Sequence, residues 1–507
     1  MKRVSMEKTH KCLVWLDNGP YSYLNYAIAI SLNKMGSYEF YGMSVTEKDF
    51  EFFKKQSTLN FKELLYYPEC YIQKKSPPDI DYLRDIEKNY ELNLWLNAYS
   101  ERLFYQYRTE FYGFSKEEIL NIIEATIKFF IDFLNRIKPD FIIMQTAGEN
   151  IANLLLYQLA KKMNVVPLML NFARLHNLFT PSDNTLSREI DEEFKKLKKQ
   201  NIDIKNYNLD SLDSKSQMET VKVMQTFVFD KSTPLQKMKR YSQRLFSDPE
   251  PIYQNKGKRK SKMIKWRINT YFEVKKRKNF LDNVTLKEIP NENFIYFPLH
   301  TQPEATTLVN APFFNDQLTL IENIAKSLPV DYLLYVKEHP GQKLKLWRPV
   351  DYYETILEMP NVKLFHPDVD SRLLISKSKL VISITGTSGF EAIIQNKPVL
   401  LFSDTFYDSL PLVTKIEKYS DLPSLIKKSI NLTTKNMNEL AYLIKAIENI
   451  SINIPYIEMW KDALLIPSTL KYNGMASAQR HFENFYKKYN NEFDKIANAY
   501  KLRLLSS

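Results

Sequence analysis

Residues 381 to 402, VISITGTSGFEAIIQNKPVLLF, constrain the fold of this chain more than any other stretch. Val381 to Ile384 are β-branched apart from one serine, and Phe390, Ile393 and Ile394 then recur at helical spacing. A short loop leads into a second apolar strand. The pattern is strand, polar glycine-flanked turn, helix, strand: half of a βαβ unit. Glycine is scarce here, 10 of 507 residues against a usual ~7%, so Gly386 and Gly389 three apart point to a tight turn that a ligand can approach. The first turn of the helix offers backbone N–H groups beside the hydroxyls of Thr385, Thr387 and Ser388, which suits a phosphate. A capping box from Thr387 or Ser388 to Glu391 satisfies the same pattern. This segment alone does not separate the two.

A chain of 507 residues is longer than one hydrophobic core supports, so two domains are expected. Cys12 and Cys70 are too few for a disulfide framework or a closed thiolate zinc site, and they fit a reducing compartment. No run of about 18 apolar residues occurs, and the first residues lack a signal-peptide core. The expectation is a cytoplasmic protein, either soluble or peripheral on the inner face of the cell membrane.

The net charge of +12 is concentrated. Between positions 256 and 278, eleven Lys or Arg face the single acid Glu273, a surplus of ten that leaves the rest of the chain at +2. Trp266, Tyr271, Phe272 and Phe280 interleave with these charges, as in an interfacial segment that meets anionic headgroups. A solvated linker helix has the same composition. No nucleic-acid module surrounds the patch, so no nucleic-acid partner is expected.

Along the chain, residues 1–180 read as a first Rossmann-like domain. Residues 11–17 form a strand followed by a turn and helix, 47–135 a helical insertion, 141–144 a strand, and 165–170 another. Asp17, Glu149, Arg174 and His176 lie at its strand ends. Residues 181–288 read as a helical, basic connection, 289–425 as a second Rossmann-like domain, and 426–507 as terminal helices with a long amphipathic one over 476–500. In the second domain, three strand ends carry polar groups: His300, Gln302 and Glu304; Lys337, Glu338 and His339; and Thr385 to Ser388. In a parallel sheet these meet on one edge, at a crevice with imidazole, ammonium, hydroxyl and backbone donors. His366 reads as structural. The DVD at 368–370 precedes a helix and reads as its cap rather than as a metal site.

The runs YFPLHTQPEATT, YVKEHPG and ITGTSGFEAIIQNKPVLLFSDTFYD resemble the nucleotide-sugar-binding half of capsule polysaccharide biosynthesis glycosyltransferases, a family of GT-B fold that includes transferases using CMP-activated Kdo. The resemblance covers roughly residues 293–410 and is thinner in the first half. It implies two Rossmann-like domains facing a cleft, with helical insertions and a helical C-terminus. It also implies a donor nucleotide held in the second domain. His339 would contact a phosphate, Thr387 and Ser388 would hold the phosphates with the helix end, and Glu391 would bond a ribose hydroxyl. Phe406 and Tyr407, after the last strand, would either wall the cleft or pack in the core. The donor set is His300, Gln302, Glu304, Lys337, His339, Thr385, Gly386, Thr387, Ser388, Gly389 and Glu391. Glu149, Asp17 and His339 are the catalytic candidates. No metal and no cofactor are expected, the nucleotide sugar being a substrate and a polysaccharide or glycolipid the acceptor. A CDP-polyol phosphotransferase, a nucleotide-sugar 2-epimerase and a non-catalytic polysaccharide-binding or export protein are the competing readings.

Overall fold

The computed structural model describes residues 9–72, 76–175, 177–200, 250–432 and 438–506. His176 and positions 201–249 of the interdomain connection lie outside the described residues.

Two separate sheets organise the chain. The first joins β1 (His10–Leu16), β2 (Tyr38–Ser44), β3 (Phe61–Tyr66), β4 (Phe141–Ile143), β5 (Val166–Phe172), β6 (Leu178–Ser182) and β13 (Ile452–Asn453) in the order 13-6-5-4-1-2-3. Its first five strands run parallel, whereas β6 and β13 are antiparallel additions at one edge. The second joins β7 (Phe294–Pro298), β8 (Leu333–Lys337), β9 (Val362–Phe365), β10 (Leu380–Ser383), β11 (Val399–Leu401) and β12 (Val413–Lys415) in the order 12-11-10-7-8-9, all parallel. Counted from its own first strand, the second sheet has the doubly wound order 3-2-1-4-5-6, and the first repeats it as 3-2-1-4-5. In each, strand order reverses between the first and fourth strands. A crevice opens there at the carboxyl ends.

Local chemistry explains the elements. β7, β10 and β11 are buried along their whole length, which is why they read as continuous apolar runs: helices cover both faces of the sheet. The 22-residue helix Lys116–Ile137 begins with a complete capping box from Ser115 to Glu118 and buries an apolar face on the first sheet. Within positions 47–135, expected to be a helical insertion, the chain also lays down β3. Nothing in the sequence marks this edge strand, because Lys62 and Glu63 stand side by side ahead of Leu64, Leu65 and Tyr66 with no period-two alternation, and its residues are only partly buried. β2 escaped notice because Gly42 interrupts it, although that glycine sits so close to Leu64 of β3 that a Cβ would lie 2.6 Å from Leu64 Cδ1.

The terminal helices do not stay with the second domain. Tyr456–Asn473, Met475–Lys488 and Asn490–Ser506 return to the first, where Met459, Phe482, Phe485 and Phe493 share a core with the helix Pro20–Asn33 and β1. The expected long helix over 476–500 is thus two helices, broken at Tyr489. Helices Glu189–Lys199 and Asn438–Ile450 instead pack under β7, β10 and β11. Each domain is therefore completed by chain from distant positions.

Candidate functional site

The three polar strand ends of the second domain do meet. His339, after β8, places Nδ1 2.7 Å from Thr301 Oγ1 after β7, and the Gly341 N–H donates to the same nitrogen at 3.0 Å. A ring nitrogen that accepts cannot carry the proton, so His339 holds its hydrogen on Nε2. Burial first, then the positive charges of Lys337, Arg348 and Arg174, push its pKa down to about 3. His339 is accordingly a neutral imidazole, and its Nε2–H donor has no protein partner among the described residues. Gly341 is small for a reason: a Cβ there would lie 2.9 Å from Nδ1.

His300 has a different task. Its Nε2 accepts the Thr385 N–H at 3.3 Å, tying the end of β7 to the turn after β10. Burial brings its pKa down to about 4. The Tyr407 hydroxyl donates to the Gly386 carbonyl at 2.5 Å and braces the same turn from beneath. These two side chains explain the glycines. A Cβ on Gly386 would meet His300 Nε2 at 2.8 Å, and one on Gly389 would collide with the Tyr407 hydroxyl. Neither glycine has a positive φ; both make room for the groups that hold the turn.

The helix Thr387–Ile394 that follows has Gly386 as N-cap and no side-chain cap. Glu391 therefore stands too far along for a capping box. Its half-buried carboxyl is raised from 4.5 to about 7 by desolvation, against the pull of Lys337 and Arg372. Lys337 is buried, bonds Ser371 Oγ at 3.1 Å, and is brought down to about 8 by desolvation.

Two of the polar strand-end residues, Glu338 and Gln302, belong to the scaffold beneath the crevice. Glu338 Oε2 accepts Arg348 Nε at 2.8 Å and the Tyr353 hydroxyl at 2.8 Å, with the ion pair 5% and 0% exposed. Arg348 reaches on to Gln302 Oε1 at 2.9 Å and the His300 carbonyl at 2.6 Å, and Gln302 exchanges backbone hydrogen bonds with the Gln342 side chain. Nothing local in the sequence marks Arg348, eleven positions past the end of β8, or Tyr353 and Gln342. His366 bonds Asp282 at 3.1 Å, and Asp370 caps the helix Ser371–Lys377 through the Arg372 N–H.

The first domain faces this crevice. Gly148, at φ +101°, abuts the short helix Ala305–Leu308, and a Cβ there would lie 2.6 Å from Val309 Cγ2. Glu149, 42% exposed, pairs with Arg102 at 3.3 Å. Burial raises the Glu304 carboxyl; Lys345, Arg102 and Arg174 draw it back and Glu149 pushes it up further, so charges from both domains lie near it. Arg174 is exposed at φ +61°. Asp17, 3% exposed, is enclosed: Trp15 Nε1 donates at 2.9 Å, the Asn18 N–H at 2.6 Å and Asn150 Nδ2 at 3.2 Å, with Gln145 completing the set. Burial raises its pKa.

The two switch points differ in one respect. In the first domain, the helix Ile151–Lys162 is capped by Asn150, and its Ile151 N–H is taken by Glu101 at 3.0 Å. Its helix start is occupied by the protein's own oxygen acceptors. In the second, the equivalent helix start lacks a side-chain cap, and it lies at the same carboxyl edge of the sheet as the strand end that carries the neutral His339.

Residues 200–425 match the family model described as "Capsule polysaccharide biosynthesis protein". Among solved structures, a UDP-GlcNAc 2-epimerase from Methanocaldococcus jannaschii is similar at 12% identity and TM-score 0.26, over 87% of this chain and 99% of that one. The KpsC beta Kdo 2,7 transferase of Thermosulfurimonas dismutans is similar at 12% identity and TM-score 0.31, over 77% of this chain and 97% of that one. The beta Kdo 2,4 transferase of the same organism's KpsC follows at 11% and 0.31, over 60% and 79%. Comparison with curated proteins gives no match. Residues 200–425 thus carry the capsule polysaccharide biosynthesis family pattern that the sequence resembles, within a chain whose two Rossmann-like sheets give it the GT-B architecture.

Proposed function

We propose that this protein is a glycosyltransferase that moves a sugar from a nucleotide-activated donor to a growing cell-surface polysaccharide or lipid-linked acceptor. The observation that carries the proposal is the asymmetry of the two switch points: among the described residues, the second has a helix start without a side-chain cap and, at the same sheet edge, a neutral N–H donor, whereas the first is capped by Asn150 and Glu101. That combination suits phosphate oxygens, since helix-end amides and an imidazole N–H stabilise charge without the cost of an unpaired buried cation.

In this reading the nucleotide lies across the ends of β7, β8 and β10. His339 Nε2–H and the Thr387–Ser388 turn hold its phosphates, and Glu391 accepts from the ribose diol. His300, Gly386, Gly389 and Tyr407 shape the turn, while Glu338, Arg348 and Gln302 stiffen the floor. As the sugar–phosphate bond breaks, negative charge grows on the departing phosphate, and donors already aimed at it lower the barrier. The acceptor hydroxyl approaches from the first domain, where Glu149 is the base candidate with accessible oxygens. Asp17 is a positioning residue that fixes Asn150 and Gln145.

The test is a titration of CMP, CDP, UDP and GDP into the wild type and His339→Gln, followed by donor turnover with the preferred nucleotide's sugars. One nucleotide should bind the wild type well and the variant at least tenfold less well. Equal binding by both proteins sinks the assignment. Turnover of a CDP-polyol, or epimerisation with no acceptor, would move the reaction class and leave the site standing.

A further inference from the structure

The basic segment is a single helix, Lys260–Val284, of 25 residues, and it carries two apolar stripes rather than one. The inner stripe is used. Trp266 packs on Phe111 of the first domain with ring centroids 5.5 Å apart. Arg277 Nη1 donates to the carbonyls of Leu346 and Trp347 at 3.2 Å each, and Leu281 is buried in the second domain's core with Val274 and Phe280 against it. The helix is thus a strut clamped to both domains.

The outer stripe faces away. Ile264, Ile268, Tyr271 and Phe272, spaced i, i+4, i+7, i+8, fall on one face and are 44%, 54%, 67% and 63% exposed. On an ideal helix, Lys265 and Lys276 border this face on one side, Arg267 borders it on the other and Lys275 lies within it, while Lys278 is ion-paired with Asp282 near the helix end. Because the two stripes oppose each other, the helix has almost no net sidedness by sequence, and the outer one shows only once the inner is seen to be covered.

We propose that this outer face docks on an anionic lipid bilayer, with Ile264, Ile268, Tyr271 and Phe272 entering the headgroup–acyl boundary and the flanking lysines and arginines meeting lipid phosphates. Charge complementarity selects that occupant. Four large apolar side chains in water need an apolar surface, and a border of like positive charge needs that surface to be negative. A strut fixed to both domains would then set the orientation of the interdomain opening above a membrane-borne acceptor. The inference is independent of which nucleotide the crevice binds.

The full chain is sedimented with vesicles of phosphatidylcholine alone and with vesicles carrying 30% phosphatidylglycerol, a composition chosen for the assay. Binding is expected only to the second kind, weakening as salt rises. Lys265→Gln, Lys275→Gln and Lys276→Gln together should weaken it on the order of 100-fold, about fivefold per charge. Ile268→Ser with Phe272→Ser should weaken it with all charges kept. Nucleotide-induced thermal shift must survive in both sets, which shows that they fold. No binding to anionic vesicles, or binding that the serine variants leave unchanged, overturns the proposal. So does binding to single-stranded RNA that competes with the vesicles and ignores the serine changes, which would assign the face to a soluble polyanion.

Discussion

His339 carries its proton on Nε2 because Gly341 N–H already occupies Nδ1, and that choice decides what the residue can do. As a donor it contributes about 1.5–3 kcal/mol to a phosphate contact, so His339→Ala should cost about 10- to 100-fold in nucleotide affinity, read by calorimetry. With pKa values pushed down to about 3 and about 4, His339 and His300 stay neutral from pH 5 upwards. Nucleotide binding should show no histidine step between pH 5 and 8. Glu391 titrates instead. The folded carboxyl keeps its proton up to about pH 7 while the unfolded one loses it near 4.5, so this group's contribution to stability falls as pH rises through that window and is level above it. Glu391→Gln should therefore melt later than the wild type at pH 8, by about 1–3 kcal/mol, and match it at pH 4.5. It should also bind nucleotide more weakly, because a carboxamide presents one acceptor oxygen to a diol instead of two. Glu391 was visible in the sequence, but its alternative as a capping acid fell only when Gly386 proved to be the N-cap.

The turn after β10 is shaped by contacts with His300 and Tyr407. Gly389→Ala forces a methyl onto the Tyr407 hydroxyl and should cost about 1–3 kcal/mol by overpacking. Adding Tyr407→Phe removes the clashing oxygen, so the double variant should be less unstable than the sum of the singles, measured by denaturant titration. Removing Arg348 leaves Glu338 buried and unpaired, and Arg348→Met should cost about 3–5 kcal/mol. Legibility at this scale followed burial. β7, β10 and β11 stood out because both faces are covered and the sequence has to be apolar throughout, whereas β3 is a partly buried edge strand without alternation, in an aromatic, charged stretch. The purpose of Gly386 and Gly389 was not legible, since a glycine signals close approach without saying by what. The approaching groups are His300, 86 positions away from Gly386, and Tyr407, 18 positions past Gly389.

Two domains of one topology share this chain, and long-range packing settles what each contains. The strand-by-strand pattern showed two parallel sheets, but nothing local in the amphipathic helices after position 455 says which sheet they cover. Their apolar faces fit either; Phe482 and Phe493 find the helix Pro20–Asn33. Phe493→Ala should destabilise the first domain by about 3–5 kcal/mol and leave the nucleotide-induced shift of the second intact, seen as two separated transitions in calorimetry. The site divided in the same way. Strand ends announced where a ligand goes, while the scaffold of Arg348, Tyr353 and Gln342 and the interdomain charges of Arg102 and Lys345 needed the fold. A crystal of the protein grown with its preferred nucleotide tests the central claim most directly. The phosphates should lie at the start of the helix Thr387–Ile394, with an oxygen about 2.7–3.2 Å from His339 Nε2 and the ribose against Glu391. A nucleotide bound instead at the Asp17–Asn150 end of the first sheet, or a second-domain crevice left empty at saturating nucleotide, would contradict it.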